Sequence, residues 1–362
     1  MEPITHFLTG ACMGRAGLNR KTALATLTLT LAAEAPDLDV LGRLRGSAFG
    51  FAHHRGFTHS FLGVPLDAVV VVGFVYLIWL LRGRRVKDPN LPPRWELLFF
   101  YACLAGLSHI LLDFTNNYGV RPFWPFSEKW YSWDIVFIFD PILFSFLLLG
   151  LIVPSLFSLI DKEIGARQRG PRGRVAATMA LIAVVLLWTL RDFEHRRAVA
   201  ALQARTYNGA DPARASAYPD LDNPFRWYGV VETTNFFALA PVDSVGPEVN
   251  PGASDDQLEI HYKPEETPIS LAAKRSYLGR IYLDWAQYPI TQTEILESPE
   301  PGYIVDFQDL RYAQLPSLFS RLRRGHDHAS KPLGAGVRLD RNLNVIGDVY
   351  GSGRDRITVP EP

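Results

Sequence analysis

The stretch WELLFFYACLAGLSHILLDF, residues 95 to 114, is apolar and long enough to cross a bilayer, yet carries His109 and Asp113 near its end. A crossing helix needs about 20 residues at ~1.5 Å each. Three further runs have the same character: residues 61 to 81 (FLGVPLDAVVVVGFVYLIWLL), 135 to 160 (IVFIFDPILFSFLLLGLIVPSLFSLI) and 175 to 190 (VAATMALIAVVLLWTL). Buried soluble helices imitate one such span, but four separated by charged loops predict an integral membrane protein. Before them, residues 4 to 18 and 22 to 35 form two weaker apolar segments split by Asn19, Arg20 and Lys21, which predict a helical hairpin too short to be counted as spans.

From residue 191 the pattern changes. Arg191 to Thr206 reads as a charged helix and Ser270 to Trp285 as another. Around them, Arg226 to Glu232, Phe236 to Ala240, Leu258 to Tyr262, Tyr303 to Phe307, Val337 to Leu339 and Asn344 to Val349 read as strands between Pro, Gly and Asn breaks. The expected architecture is thus an α-helical integral membrane bundle, with an N-terminal hairpin plus four transmembrane helices over 1–190, and a C-terminal soluble α+β domain over 191–362.

Composition excludes several classes. The 362 residues hold 37 Lys+Arg against 37 Asp+Glu with 48% hydrophobic residues, so the chain is neither disordered nor a basic nucleic-acid binder. Cys12 and Cys103 lie in apolar stretches with no Cys-x-x-Cys spacing. No cleavable signal peptide is expected, since Glu2, Pro3 and His6 stand where a basic start should be. Motifs for a nucleophilic serine elbow, a P-loop, a His-Glu-x-x-His helix and a dinucleotide fold are absent from the sequence.

Charge sets an orientation. Arg82, Arg84, Arg85, Lys87 and Arg94 fill one loop and Lys162, Arg167, Arg169, Arg172 and Arg174 another, which puts both in the cytoplasm by the positive-inside rule. Residues 36 to 60, 115 to 134 and the C-terminal region then fall on the outer side. Arg43, Arg45, Arg55 and the Arg191, Arg196, Arg197 group run against that orientation.

The chemistry-bearing residues cluster in the first 113 positions. His109 and Asp113 are four apart, one turn along one helix face, inside a span where ionisable groups are costly and usually functional. Pro36 ends a helix and leaves Asp37 and Asp39 close together, a repulsion that a cation, or the nearby Arg43 and Arg45, would relieve. His54 and His59 flank Arg55 and Gly56, where a tight turn brings two imidazoles to one point, and His6 opens the hairpin. The topology gathers His6, Asp37, Asp39, His54, His59, His109 and Asp113 near the outer face. Donors of this kind favour zinc first, with manganese or iron as alternatives, over calcium or a thiolate site. Seven donors exceed one ion's needs, so either two metals bind or some donors orient the others. Water acidified by the ion would attack a phosphorus or carbonyl centre, and Arg55 would act catalytically by stabilising the developing negative charge.

Four motifs, THFLTGA at the start, PDLD, HRGFTHS and SHILLDFTNNYG, together resemble the bacterial membrane-bound metal-dependent hydrolase family of the YdjM type over roughly residues 1 to 160. The resemblance implies an inner-membrane protein with a divalent-metal site whose ligands here would be His6, Asp37, Asp39, His54, His59, His109 and Asp113. His53 stands beside the motif, leaving open which of His53 and His54 ligates. A looser likeness of the Asp and His-x3-Asp pattern to zinc-dependent phospholipases C points to a phospholipid or another membrane-associated phosphodiester or ester. Residues 191–362 have no counterpart in the short members of the family.

Other polar residues read as structural. His195 belongs to a charged helix face, His261 to a strand, and His326-Asp327-His328 to an exposed loop; Asp67, Asp134 and Asp140 are candidates only to support a site. Two readings follow: a metal-dependent hydrolase acting on a membrane lipid or membrane-associated substrate, or a non-catalytic scaffold with a structural metal or polar cluster whose C-terminal domain binds a protein partner. A transporter is disfavoured because the polar residues gather near one face.

Overall fold

Pro3 stands where a helix tolerates proline, and the Glu2 carboxylate accepts from the Thr5 amide at 3.0 Å, so the chain enters its first helix capped. The structure, a computed structural model, describes residues 1–86, 88–163, 173–220, 223, 225–244, 250–251, 258–297, 301–313 and 333–350. Helix α1 (Pro3–Arg15) and α2 (Ala25–Glu34) form the expected hairpin, followed by a 3₁₀ stretch at Ala35–Arg45 and α3 (Ser47–His53). Then come α4 (Gly63–Leu81), α5 (Trp95–Thr115), α6 (Pro141–Glu163) and α7 (Arg174–Gln203).

The chain divides into two compact units, one of Met1–Asp39 and Arg55–Phe193, the other of Val40–His54 and Glu194–Pro362. In the first unit the hairpin helices meet closely. A Cβ on Gly10 would lie 2.5 Å from the Leu29 carbonyl oxygen, so only glycine admits this approach. Thr9, Thr28 and Thr30 return their hydroxyls to carbonyls four residues back, at 2.8, 3.1 and 2.9 Å, which removes polar groups from an apolar contact. Leu29, Ala32 and Ala33 pack with Val71, Val75, Leu98, Ala102 and Ala105 of α4 and α5. On its other side α1 places Leu8 and Cys12 against Leu143 and Leu147 of α6 and Ala180 and Val184 of α7.

Gly63–Leu81, Trp95–Thr115 and Arg174–Gln203 are each long and apolar enough to cross a membrane, and α6 adds the shorter apolar stretch Pro141–Phe157. Pro154 lies inside α6, where Arg15 donates to the Leu151 carbonyl at 2.7 Å. One expectation needs correction: Arg191 does not begin a separate charged helix. Helical hydrogen bonding continues through it to Gln203, and the guanidinium forms an ion pair with Asp140 at 2.9 Å, with both side chains buried.

The second unit carries two antiparallel sheets. The first joins β1 (Arg214–Pro219), β2 (Arg226–Glu232) and β3 (Phe236–Asp243) in sequence order, with β4 (Asn250–Pro251) and β5 (Glu259–Tyr262) both pairing to β3. Two helices follow, α8 (Pro268–Arg275) and α9 (Tyr277–Trp285), where a single helix over 270–285 was expected. Ser276 causes the break: its extended backbone ends α8 while its hydroxyl accepts from the Gly279 amide at 3.0 Å to cap α9. The second sheet is a meander of β6 (Pro289–Leu296), β7 (Gly302–Asp309), β8 (Ala335–Asp340) and β9 (Val345–Tyr350). Phe51 of α3 stacks on Tyr350 with centroids 4.0 Å apart and meets the Trp285 edge at 5.5 Å, which anchors Val40–His54 in this unit.

Candidate metal centre

The fold converts scattered motifs into one cluster within the first unit. Helix α5 supplies His109 and Asp113 from one buried face, as their spacing requires. The 3₁₀ stretch after Pro36 supplies Asp37 and Asp39, and the short 3₁₀ turn Phe57–His59 supplies His59. Ligand atoms of Asp37, His59, His109 and Asp113 all lie within 4.8 Å of one another, a group able to hold a metal ion. His59 Nε2 is 3.0 Å from His109 Nε2, 3.4 Å from Asp37 Oδ1 and 3.3 Å from Asp113 Oδ2. His109 Nε2 is 3.6 Å from Asp37 Oδ1 and 3.4 Å from Asp113 Oδ2. Ligands about 2.0–2.1 Å from a tetrahedral zinc are separated by roughly 3.3 Å, so these spacings suit such an ion.

The partners of the outer ring atoms favour one tautomer of each ring. His109 Nδ1 lies 2.7 Å from the Ala33 carbonyl and therefore donates to it. His59 Nδ1 faces Asp39 Oδ2 at 3.3 Å and Thr58 Oγ1 at 3.1 Å, and the carboxylate can only accept. Both Nε2 atoms are then unprotonated lone-pair donors turned toward each other and toward two carboxylate oxygens. Four electron-rich atoms converging in a buried site repel unless a cation lies among them. Asp113 Oδ2 and Asp37 Oδ2 are buried without a hydrogen-bond partner, as are both ring nitrogens of His6. The residues thus fit a divalent metal.

The other expected site residues surround this group. Asp37 and Asp39 lie at opposite nitrogens of the His59 ring. His6 stacks on His109 with centroids 3.7 Å apart and brings Nε2 to 3.5 Å from Asp113 Oδ1. That same oxygen accepts from Arg55 Nη2 at 2.9 Å, from Asn116 Nδ2 at 3.3 Å and from the Met1 amino group, which leaves Oδ2 for the cluster. Arg55 Nη1 donates to the Gly119 carbonyl at 2.8 Å, and its guanidinium lies over the Tyr118 ring. His53 and His54 are outside the group of four: both belong to the second unit, His53 stacked on Phe49 and His54 ending α3.

The sequence marked Asn116 and Gly119 only as part of the motif that follows Asp113; here Asn116 supports both Asp113 and Arg55. Ala33 carried no signal at all, because it acts through its backbone. Of the residues set aside, His195 lies against Trp227, His261 pairs with Glu259 at 2.9 Å, and Asp140 caps α6. His326, Asp327 and His328 lie outside the described residues.

YfhP of Bacillus subtilis (strain 168), an uncharacterized protein, is 30% identical over 154 residues, covering 40% of this chain and 43% of that protein. The chain therefore matches less than half the length of this relative, and no solved structure matches it. A family model described as YdjM inner membrane protein matches residues 1–196, more than half of the chain and all of the clustered donors. The chain belongs to the YdjM inner membrane protein family.

Proposed function

We propose that the protein is a metal-dependent hydrolase of the membrane, with Asp37, His59, His109 and Asp113 holding one divalent ion, zinc before manganese or iron. The observation that carries this reading is the 3.0 Å approach of two imidazole nitrogens whose opposite ring nitrogens are both committed as donors. A bound ion would supply Lewis acidity at a substrate oxygen and acidify water near neutral pH. Asp39 orients His59, the Ala33 carbonyl orients His109, and Arg55 holds Asp113; each fixes a donor in the rotamer and protonation state that ligation needs. Arg55 is then a positioning residue, its guanidinium directed onto Asp113, Asn116 and Gly119. His6, stacked behind His109 with ring nitrogens that make no hydrogen bond, is the donor available to a second ion or to a reorganised first one.

The orientation proposed from charge places this centre and the C-terminal unit on the outer side of the membrane. Two of the contrary arginines, Arg55 and Arg191, are buried in ion pairs with Asp113 and Asp140.

The full burial of His59, His109 and Asp113 favours a second reading, a structural ion that ties helices together while the C-terminal unit binds a protein partner. Elemental analysis of the detergent-purified chain, with His59→Ala and Asp113→Asn beside it, separates the cases when joined to an assay on bis(p-nitrophenyl) phosphate. Metal at one or two equivalents, lost in both variants together with hydrolysis, is expected. Metal without hydrolysis leaves the scaffold, and equal metal content in all three proteins refutes the site.

A further inference from the structure

We propose that the substrate is a lipid that reaches the metal centre sideways from the bilayer, presenting an ester or phosphodiester at the level of the membrane surface. The choice of substrate rests on the hydrolase reading above; the depth of the site does not.

Three of the four donors are fully buried, and Asp37 alone exposes part of its side chain, 18%, so approach is from its side. Beside it Leu38 is 61% exposed. Helix α1 exposes Ile4 and Phe7 on either side of buried His6. On α5 the exposed Leu107 and Leu111 bracket His109, so this ligand lies within the helix's outward apolar stretch and not beyond it. After His59, exposed Phe61 and Leu62 lead directly into α4, whose outward face continues through Leu66, Val69 and Val70.

The apolar surface also extends past the cluster. The loop after Asp113 lays Phe123 against Phe61, with centroids 5.5 Å apart, and leaves Phe126 86% exposed. The Phe61 amide donates to the Pro122 carbonyl at 2.9 Å, which fixes this aromatic edge to the segment that carries His59. In water, a contiguous apolar surface of this kind is unfavourable. Aromatic side chains beyond an apolar helix face mark the membrane–water boundary. This surface is continuous with the lipid-facing sides of α4 and α5, so lipid is its occupant, and the metal donors lie at the depth where glycerolipid ester and phosphate groups reside. Cleavage there is a hydrolysis. A water oxygen bonds to phosphorus or to the acyl carbon, the bond to the lipid's leaving alcohol oxygen breaks, and the water protons are divided between the acid product and that alcohol.

The test uses the full chain in vesicles of phosphatidylcholine and phosphatidylglycerol, with nitroxide labels on Leu38→Cys and Phe7→Cys in a Cys12→Ala, Cys103→Ala background. Relaxation of both labels by oxygen more than by a water-soluble nickel chelate is expected; the reverse order overturns the proposed depth. In a second arm the zinc-loaded protein is given vesicle lipid, the deacylated glycerophosphodiester, and bis(p-nitrophenyl) phosphate. Vesicle lipid should be cleaved about 100-fold faster than its deacylated form, the scale of gain from holding a reactant next to its site. Equal rates overturn the lipid assignment and leave the hydrolase standing. Hydrolysis of none of the three ends the hydrolase reading, and the substrate assignment with it.

Discussion

Arg55 uses two different parts of itself on two carboxylates. Its amide donates to Asp39 Oδ2 at 2.7 Å, its guanidinium holds Asp113 at 2.9 Å, and a left-handed backbone, φ 53°, lets it do both. Arg55→Lys keeps the amide contact but loses the forked donor, and Asp39→Asn leaves His59 Nδ1 without its charged acceptor. Each should weaken metal binding about 10–100-fold, as outer partners of metal ligands do; competition against a graded chelator measures it. In the second unit Glu232 is partly buried, which opposes its charge, but the hydrogen bond from Lys263 at 2.8 Å and the Arg214 guanidinium outweigh that and hold its carboxyl below the ordinary carboxylate range. The stability it adds is complete above that range and fades as pH falls through its lowered value. Glu232→Gln should therefore lower the melting temperature at pH 7 and change it less in acid. Residue spacing alone revealed the His109 and Asp113 pair and marked Asp37 and His59. It did not separate donors in the cluster from Asp39, which faces the other side of an imidazole, because that distinction depends on the direction of a side chain.

At the level of elements, the hairpin is held by shape. Gly10→Val would drive a branched side chain into the Leu29 backbone and should destabilise the protein by about 1–3 kcal/mol or part the two helices, seen as a lowered thermal midpoint in detergent. The sequence showed both hairpin helices, because their apolar runs are interrupted by Asn19, Arg20 and Lys21, and β2 agrees with the expected Arg226 to Glu232 at both ends. The second sheet's β6 was missed. It is an edge strand whose Gln292, Thr293, Glu294 and Ile295 are exposed, so no alternation of apolar and polar residues marks it. Nor was the strand β1 seen: Ala215 and Ala217 are too small to stand out as an apolar face, though both are buried under larger neighbours. The break at Ser276 was hidden because the residues on both sides keep helical periodicity, and only the cap reveals it.

In the first unit two buried ion pairs stand at the ends of long apolar helices, Arg55 with Asp113 on α5 and Arg191 with Asp140 before α6. Arg191→Ala would strand Asp140 in an apolar setting and should cost about 3–5 kcal/mol, read as loss of folded protein on mild heating in detergent. Reporters fused after residue 88 and after residue 362 should give opposite-side signals under the proposed orientation, and the same side for both would refute it. The long apolar helices were legible because hydropathy is a property of composition. The membership of Val40–His54 in the second unit was not, because it rests on Phe51 meeting Tyr282, Trp285 and Tyr350 from the far end of the chain. That packing bears on the order of events at the ribosome. Synthesis delivers Asp39 and Arg55 early, but the segment looped between them waits for Tyr282, Trp285 and Tyr350, more than 200 residues later. A nascent chain therefore carries Asp37, His59, His109 and Asp113 long before the peptide between Asp37 and His59 can meet the aromatic residues that anchor it.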